Sequence, residues 1–424
     1  MRKMKDSGIE WIGEIPEEWS VCKIKHQFQV YSGATPKSGI DEYWDGEIIW
    51  ITPADYKTED RFVSSGKRNI SDLGYSSCGT TMIPKNSIIF SKRAPIGSVA
   101  INTVDLCTNQ GCLSCVKHQN VDEMYYYYFF SVYADIFDLF GSGTTFKEIS
   151  FDNFANFYVI KPNKDEQQKI SAFLDRKCSE IDSVIEKTKA TIEEYKSLKQ
   201  SVITQAVTKG IRKGRKMKDS GSVWFDTIPF DWNFIKLKYH FKIKKEIAGQ
   251  EGYTVLSITQ KGIIPKNISS NEGQLAADYS NYQLVNSGDF AMNHMDLLTG
   301  WVDISRFDGV TSPDYRVFVI KNPALNDSRY FLFLMQVCYM NKIFYGLGQG
   351  VSGFGRWRLQ ADKFLNFYIP IPPKDEQHEI VTFLNEKCSE IDKLIAKKEQ
   401  LLTELESYKK SVIFEYVTGK KEIE

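Results

Sequence analysis

The segment KDEQQKISAFLDRKCSEIDSVIEK at residues 164–187 recurs without a gap as KDEQHEIVTFLNEKCSEIDKLIAK at residues 374–397. The register holds as far as SVITQAVT (201–208) against SVIFEYVT (411–418), and FANFYVIKP (154–162) precedes the first copy as FLNFYIPIP (364–372) precedes the second. A second repeated block opens each half, MKDSGIEWIGEIPEEWSVCKIK (4–25) against MKDSGSVWFDTIPFDWNFIKLK (217–238), while the stretches between diverge. A period near 210 residues is far too long for a solenoid and describes one whole module written twice.

Each repeated segment opens after a proline with acids in its first turn, as a helix start should. Apolar residues then follow 4-3 spacing. In the first copy they are Leu174, Cys178, Ile181, Ile185, Thr188, Ile192, Tyr195 and Val202, with one beat missing at Lys199. In the second they are Leu384, Cys388, Ile391, Ile395, Leu402, Leu405 and Val412, with Lys398 on the row and a beat missing near Lys409. This is the heptad of a coiled-coil seam, and two near-identical narrow stripes are suited to each other. One helix leads into the second variable body and the other leads away from it, so the pairing is expected to be antiparallel. The fold class that follows is α+β: two mixed α/β bodies, 1–163 and 211–373, separated by two long helices, 164–210 and 374–424, with an internal pseudo-two-fold.

Composition narrows the class without naming a partner. Apolar residues make up 42% and charged residues 25%, values of an ordinary soluble protein, and 54 basic residues balance 54 acidic ones. No apolar run approaches the ~20 residues needed to cross a bilayer. The opening MRKMKDSGIEWIGEIP lacks a signal-peptide apolar core, so a cytoplasmic protein is expected, with no membrane partner. The bodies differ in charge: residues 1–163 carry 16 Lys/Arg and 20 Asp/Glu, residues 211–373 carry 20 and 14. A nucleic-acid surface would therefore be local, built from particular loops.

With the repeat and its motifs in view, the chain resembles the specificity subunit of type I restriction-modification systems. WIGEIPEEW (11–19), SGATPK (32–37), IIWITPADY (48–56), FSKRAPIGSVAI (90–101), TNQGC (108–112), GSGTTFKEIS (141–150) and both KDEQ…KCSEID helices carry the likeness, which spans essentially the whole chain. It implies two target-recognition domains, each reading one half of an asymmetric bipartite site on double-stranded DNA. It also implies a coiled coil that fixes the spacing and docks two methyltransferase subunits, with restriction/translocase subunits completing the complex. S-adenosylmethionine is then expected on the methyltransferase and no cofactor on this chain. Two unlike heads held at fixed separation suit two unlike half-sites on independent grounds.

Short β-branched and aromatic runs, EIIWI, NSIIFS and GSVAI in the first body and YTVLSI, GDFAM and GWVDI in the second, read as strands between Gly, Pro and Asn punctuation. Aligning GSVAI with GWVDI keeps Asp105 over Asp308 and Thr108 over Thr311, with different polar residues on the loops around them. Lys and Arg suit phosphates; Arg suits guanine, and Asn or Gln adenine. The candidate DNA contacts are Thr35, Lys37, Lys92, Arg93, Asn109, Gln110, Thr145 and Lys147 in the first head. In the second they are Lys261, Asn293, His294, Arg316, Arg356 and Arg358.

Several signals point to chemistry and fail on inspection. Cys107, Cys112 and Cys115 have an iron–sulfur-like spacing, but the matched positions of the second body are Val310, Tyr315 and Phe318, so these cysteines read as core and no metal is expected. FYGLGQG (344–350) is not set between a strand and a helix of a βαβ unit. Five scattered histidines make no metal or nucleophile pattern, and there is no Asn/Asp-Pro-Pro-Tyr segment of the amino-methyltransferase kind. The chain is expected to be non-catalytic; a self-contained DNA methyltransferase or a pure coiled-coil scaffold are the alternatives.

Overall fold

The computed structural model describes residues 2–57, 60–93, 95–143, 147–268, 276, 278–350 and 357–423. The chain forms two compact units, Met1–Lys189 with Gln400–Glu424, and Ala190–Glu399. Each therefore takes one variable body together with parts of both long helices, Lys164–Lys209 and Lys374–Val417.

In the first unit the body is organised on a five-stranded sheet of order Phe28–Ser32, Cys112–Lys117, Ile88–Ser91, Val99–Asn102, Phe62–Val63. All pairings are antiparallel except the last. A smaller sheet, Cys107–Thr108, Trp44–Ile51, Arg68–Ile70, lies beside it in sequence order. Strands Ile88–Ser91 and Val99–Asn102 are buried at every position, which is why they read as continuous apolar runs rather than alternating ones. Helix Glu123–Val132 carries the run YYYYFF, and all six rings are buried. A helix apolar all round must be enclosed. Its hydroxyls bond Tyr125 to the Val417 carbonyl at 2.7 Å, Tyr126 to that of Ile160 at 3.1 Å and Tyr128 to Asp175 at 2.8 Å.

The second unit repeats this plan. Its sheet has the order Phe241–Lys244, Arg316–Ile320, Phe290–Met292, Val302–Ile304, matching the first four strands of the other sheet one for one. The buried helix is Ser328–Met340, and its Tyr330 hydroxyl reaches the carbonyls of Val207 and Pro370 at 3.0 and 2.9 Å. The runs expected as strands from the sequence are strands in both units.

The long helices pair antiparallel within each unit. In the first, Phe173 packs on Tyr416 and Asp182 bonds Lys409 at 2.6 Å, so one number rises as the other falls. In the second, Lys199 bonds Asp392 at 2.7 Å, and Arg212, just past the end of the first helix, bonds Glu379 at 2.9 Å. The two lysines that break the heptad thus reach equivalent aspartates on the facing helix. Of the seam, Leu174, Cys178, Ile181, Ile185, Ile192, Leu384, Cys388 and Ile391 are buried, whereas Ile395 and Leu402 are half-buried.

Each body is fastened to a helix start by a repeated lock. Glu166 accepts from the Trp19 indole at 2.6 Å and pairs with Arg2, which also pairs with Glu18. Glu376 accepts from the Trp232 indole at 3.0 Å and pairs with Arg215, which also meets Asp231 at 2.6 Å. Gln167 and Gln377 then accept from the backbone N–H groups of Asp122 and Asp327, at 2.9 and 2.8 Å. The repeated Trp, Glu and Gln of the sequence are these fastenings.

Candidate nucleic-acid interface

The candidates of the first head gather where loops leave the five-stranded sheet. Lys92 and Arg93 follow strand Ile88–Ser91; the Lys92 N–H donates to the Gly111 carbonyl, and its own carbonyl accepts from Ile149, both at 3.0 Å. That ties the TNQGC turn to the end of GSGTTFKEIS. Gly33 brings the SGATPK loop to the same turn: a Cβ there would stand 2.2 Å from the Thr108 carbonyl oxygen, so only glycine permits the approach. The Thr35 hydroxyl then bonds the Gln110 side-chain carbonyl, and Lys37 is exposed. Lys147 is paired with Asp138.

Two features temper the first head's charge. Glu148, which the sequence reading missed, bonds Lys92 at 2.8 Å and Arg93 at 2.7 Å, and those cations hold its carboxyl below the usual range against the opposing effect of burial. Asn109 uses its amide oxygen on the Gly111 N–H at 2.9 Å, leaving its NH2 as the group able to face a base. Ser312 makes the same turn in the second head, accepting from Asp314 at 3.2 Å. The turn is therefore common framework, and its neighbouring side chains are what differ.

In the second head, the His294 carbonyl accepts from Leu359 at 3.0 Å, as Lys92 does from Ile149, so the two residues are equivalent. Arg358 pairs with Gln349 across a β-bridge, as Glu148 does with Ser142. A Lys–Glu ion pair in one head is thus replaced by His and Arg in the other. Burial, with Arg316 and Arg358 adding to it, pushes His294 down to about 4, and its Nδ1 has no hydrogen-bond partner among the described residues. Asn293 accepts from Met295 and Asp296 at 3.2 and 3.1 Å, stiffening its own loop. Lys261 is exposed at the turn between strands Leu256–Thr259 and Gly262–Pro265.

Arg316 departs from the expected loop position. It stands opposite Met292 in the sheet, as Leu113 stands opposite Phe90, and it is 6% exposed. Its guanidinium donates to the Leu359 carbonyl at 2.7 Å and lies 5.1 Å from the centre of the Phe364 ring. Burial lowers its pKa to about 10. Strand alternation carried the signal, because Arg316 shares a face with the buried Phe318. Thr145 and Arg356 lie outside the described residues.

The three clustered cysteines are buried, and burial pushes the Cys107 and Cys112 thiols up to about 11 and about 12. Among the described residues no group of three or more His, Cys, Asp or Glu is placed to hold a metal, and no helix is long and apolar enough to cross a membrane.

Comparison with known proteins bears directly on this arrangement. A family model described as the type I restriction modification DNA specificity domain matches residues 16–194 and again 229–407. The type I restriction enzyme MjaIX specificity subunit of Methanocaldococcus jannaschii is 29% identical over 416 residues, covering 89% of each chain. The EcoR124I/EcoR124II specificity subunit of Escherichia coli is 28% identical over 198 residues, covering 45% of this chain and 46% of that one. In fold, a solved chain reported in a study of complex assembly and conformational transition of the type I R-M system aligns with a TM-score of 0.70 at 12% identity, over 96% of this chain and 99% of that one. The HsdS subunit from Thermoanaerobacter tengcongensis aligns with a TM-score of 0.52 at 12% identity, over 96% and 98%. Both matches of the family model begin in the opening motif of a module and run on into a long helix, so the duplicated plan is the family's own, and the chain belongs to the type I restriction-modification DNA specificity family as a specificity subunit.

Proposed function

We propose that each variable body reads one half of an asymmetric bipartite site on double-stranded DNA, and that the paired helices set the distance between halves and dock two methyltransferase subunits. In this reading residues 1–163 and 211–373 are the target-recognition domains, and 164–210 with 374–424 form the spacer. The chain is non-catalytic and cytoplasmic; the methyltransferase subunits hold S-adenosylmethionine, and restriction/translocase subunits join the assembly. The observation that carries the reading is one sheet order used twice, with Lys92 and Glu148 in one head where the other has His294 and Arg358. A shared frame with unlike polar residues at matched places is what two heads need to read different sequences.

The test is a genome-wide map of methylated adenines in cells with and without this gene, the methyltransferase being present in both. A two-part asymmetric motif that depends on the gene is expected. Arg93→Ala with Asn109→Ala should relax or abolish one half of it and leave the other half readable. No gene-dependent motif, with the partner expressed and complexed, would refute the reading.

A further inference from the structure

The rim of the second head carries two aromatic rings that its core does not enclose. Tyr345 is 38% exposed and Trp357 is 37% exposed, and their ring centres stand 5.7 Å apart. The Trp357 indole N–H donates to the Tyr345 carbonyl at 2.8 Å, so its one polar group is spent and what remains open is apolar. Gly348 makes the seat: a Cβ there would lie 2.3 Å from the indole nitrogen and 2.9 Å from the Leu297 side chain. Trp357 directly precedes Arg358, which bridges Gln349, and the next residue, Leu359, donates to the His294 carbonyl. The rings therefore stand among the candidate DNA contacts of this head.

The first head has the same seat with different occupants. Phe137 packs on Phe154 and Phe157, and Phe344 packs on their repeats Phe364 and Phe367. Five residues after these phenylalanines, Ser142 bridges Glu148 as Gln349 bridges Arg358. Between those fixed points Asp138 aligns with Tyr345 and Gly141 with Gly348, and the residues just before Glu148 and Arg358 make Lys147 the counterpart of Trp357. The contacts agree: a Cβ at Gly141 would lie 3.0 Å from the Lys147 side chain and 2.7 Å from that of Ile96, as one at Gly348 would meet Trp357 and Leu297. Lys147 and Asp138 form an ion pair where Trp357 and Tyr345 form a ring pair. Trp224 gives the contrast. It too lies against a glycine, Gly346, but it recurs as Trp11 in the other opening motif and belongs to the common frame.

We propose that Trp357, held in place by Tyr345 and Gly348, covers the C5-methyl group of a thymine in the major groove of the half-site read by the second head. The thymine methyl is the apolar group that a base pair presents in that groove, and an indole whose N–H is spent can tell bases apart there only by covering it. Two rings beside Arg358 and His294 make a patch far smaller than a stable protein interface needs, and the matched place in the other head is an ion pair, so nucleic acid is favoured over a protein as the occupant. The inference rests on the proposed function and adds to its polar contacts one made by carbon alone.

The experiment uses the full chain with its methyltransferase subunits and duplexes carrying the mapped site, with affinity read by fluorescence anisotropy. The half tested is the one that Arg93→Ala with Asn109→Ala leaves readable, and each of its thymines is replaced in turn by deoxyuridine. One replacement should weaken binding about 4-fold, as the loss of one buried methyl group would. Trp357→Ala should bind thymine and deoxyuridine at that position alike. So should Tyr345→Asp with Trp357→Lys, which installs the pair that the first head holds on the same seat. 5-Iododeoxyuridine at that position, with iodine in place of the methyl, should crosslink under ultraviolet light to the peptide bearing Trp357; this reads the contact on the native chain whether or not a variant folds. No thymine sensitive to replacement, a sensitivity that survives in both variants, or a crosslink to a different peptide would overturn this inference and leave the proposed function standing. So would variants that keep the sensitivity and instead lose a partner subunit. A native complex that does not prefer the mapped site to other duplexes would overturn both.

Discussion

Glu376 offers the sharpest test of how a head is held to its helix. Its side chain is 1% exposed, and its carboxylate takes the Trp232 indole and the Arg215 guanidinium. Its counterpart Glu166 takes Trp19 and Arg2 in the same way but is 20% exposed. Glu376→Gln keeps the shape and removes the charge. Arg215, whose pKa is raised chiefly by its hydrogen bond to Glu376, keeps only Asp231 as an acidic partner. The Trp232 ring is fully buried, so an indole N–H that loses its acceptor has no water to turn to. Breaking a buried pair from one side costs about 3–5 kcal/mol, and retaining Asp231 with a Gln carbonyl places this case near ~3 kcal/mol. At Glu166 water can replace part of what is lost, and ~1–1.5 kcal/mol is expected. Hydrogen-exchange mass spectrometry of both variants should show faster exchange over 215–232 in Glu376→Gln and a smaller change over 2–19 in Glu166→Gln. Guanidinium unfolding supplies the energies. If Glu376→Gln falls within ~0.5 kcal/mol of the native chain, or Glu166→Gln is the costlier change, burial is not what gives the lock its strength.

His294 and the cysteines give two further predictions. Burial, with Arg316 and Arg358, lowers His294 from 6.5 to about 4, so between those values the unfolded chain binds a proton that the folded one excludes. Its contribution is complete above pH 6.5 and is lost as pH falls toward 4; His294→Gln should flatten that limb by up to one proton in urea midpoints measured against pH, and an unchanged slope would refute the assignment. Alkylation by iodoacetamide at pH 8 should spare Cys112, Cys115 and Cys338, whose thiols burial pushes well up, and label half-buried Cys78 first; early modification of Cys112 read by peptide mass would contradict its enclosure.

The helices were the most legible part of the sequence, because a heptad repeated twice leaves one arrangement that buries both stripes. The sheets were legible as strands, since β-branched and aromatic runs bounded by turn residues have few other uses. What the sequence hid was direction. Arg316 follows the turn-forming residues Ser312-Pro313-Asp314, yet it occupies the inward place that Leu113 fills in the other head. Asn109 looked like a base reader because of its residue type, whereas half of its amide is committed to a turn that Ser312 makes equally well. Glu148 carries no mark of its role in the local sequence; only the fold brings it to Lys92 and Arg93. Local pattern fixes the element, while partners distant in sequence decide whether a polar group remains available.

That lesson bears on how the two heads would share the work on DNA. In the first, the rim cations are already balanced in part by Glu148, in a body of 16 basic and 20 acidic residues. In the second, the matched places hold His294 and Arg358, in a body of 20 basic and 14 acidic residues. Attraction to the phosphate backbone is set by cations that lack an acid of their own, and it weakens with salt in proportion to their number. Under the proposed function the second head would therefore supply the larger share of the sequence-independent hold. The first head's ion pairs would have to be exchanged for DNA contacts one by one, an exchange that favours only a duplex offering better partners than Glu148. An acid on such a rim is then no contradiction: it subtracts equally from the hold on any duplex, and what would select one sequence over another is the difference between the partners each duplex offers in place of Glu148.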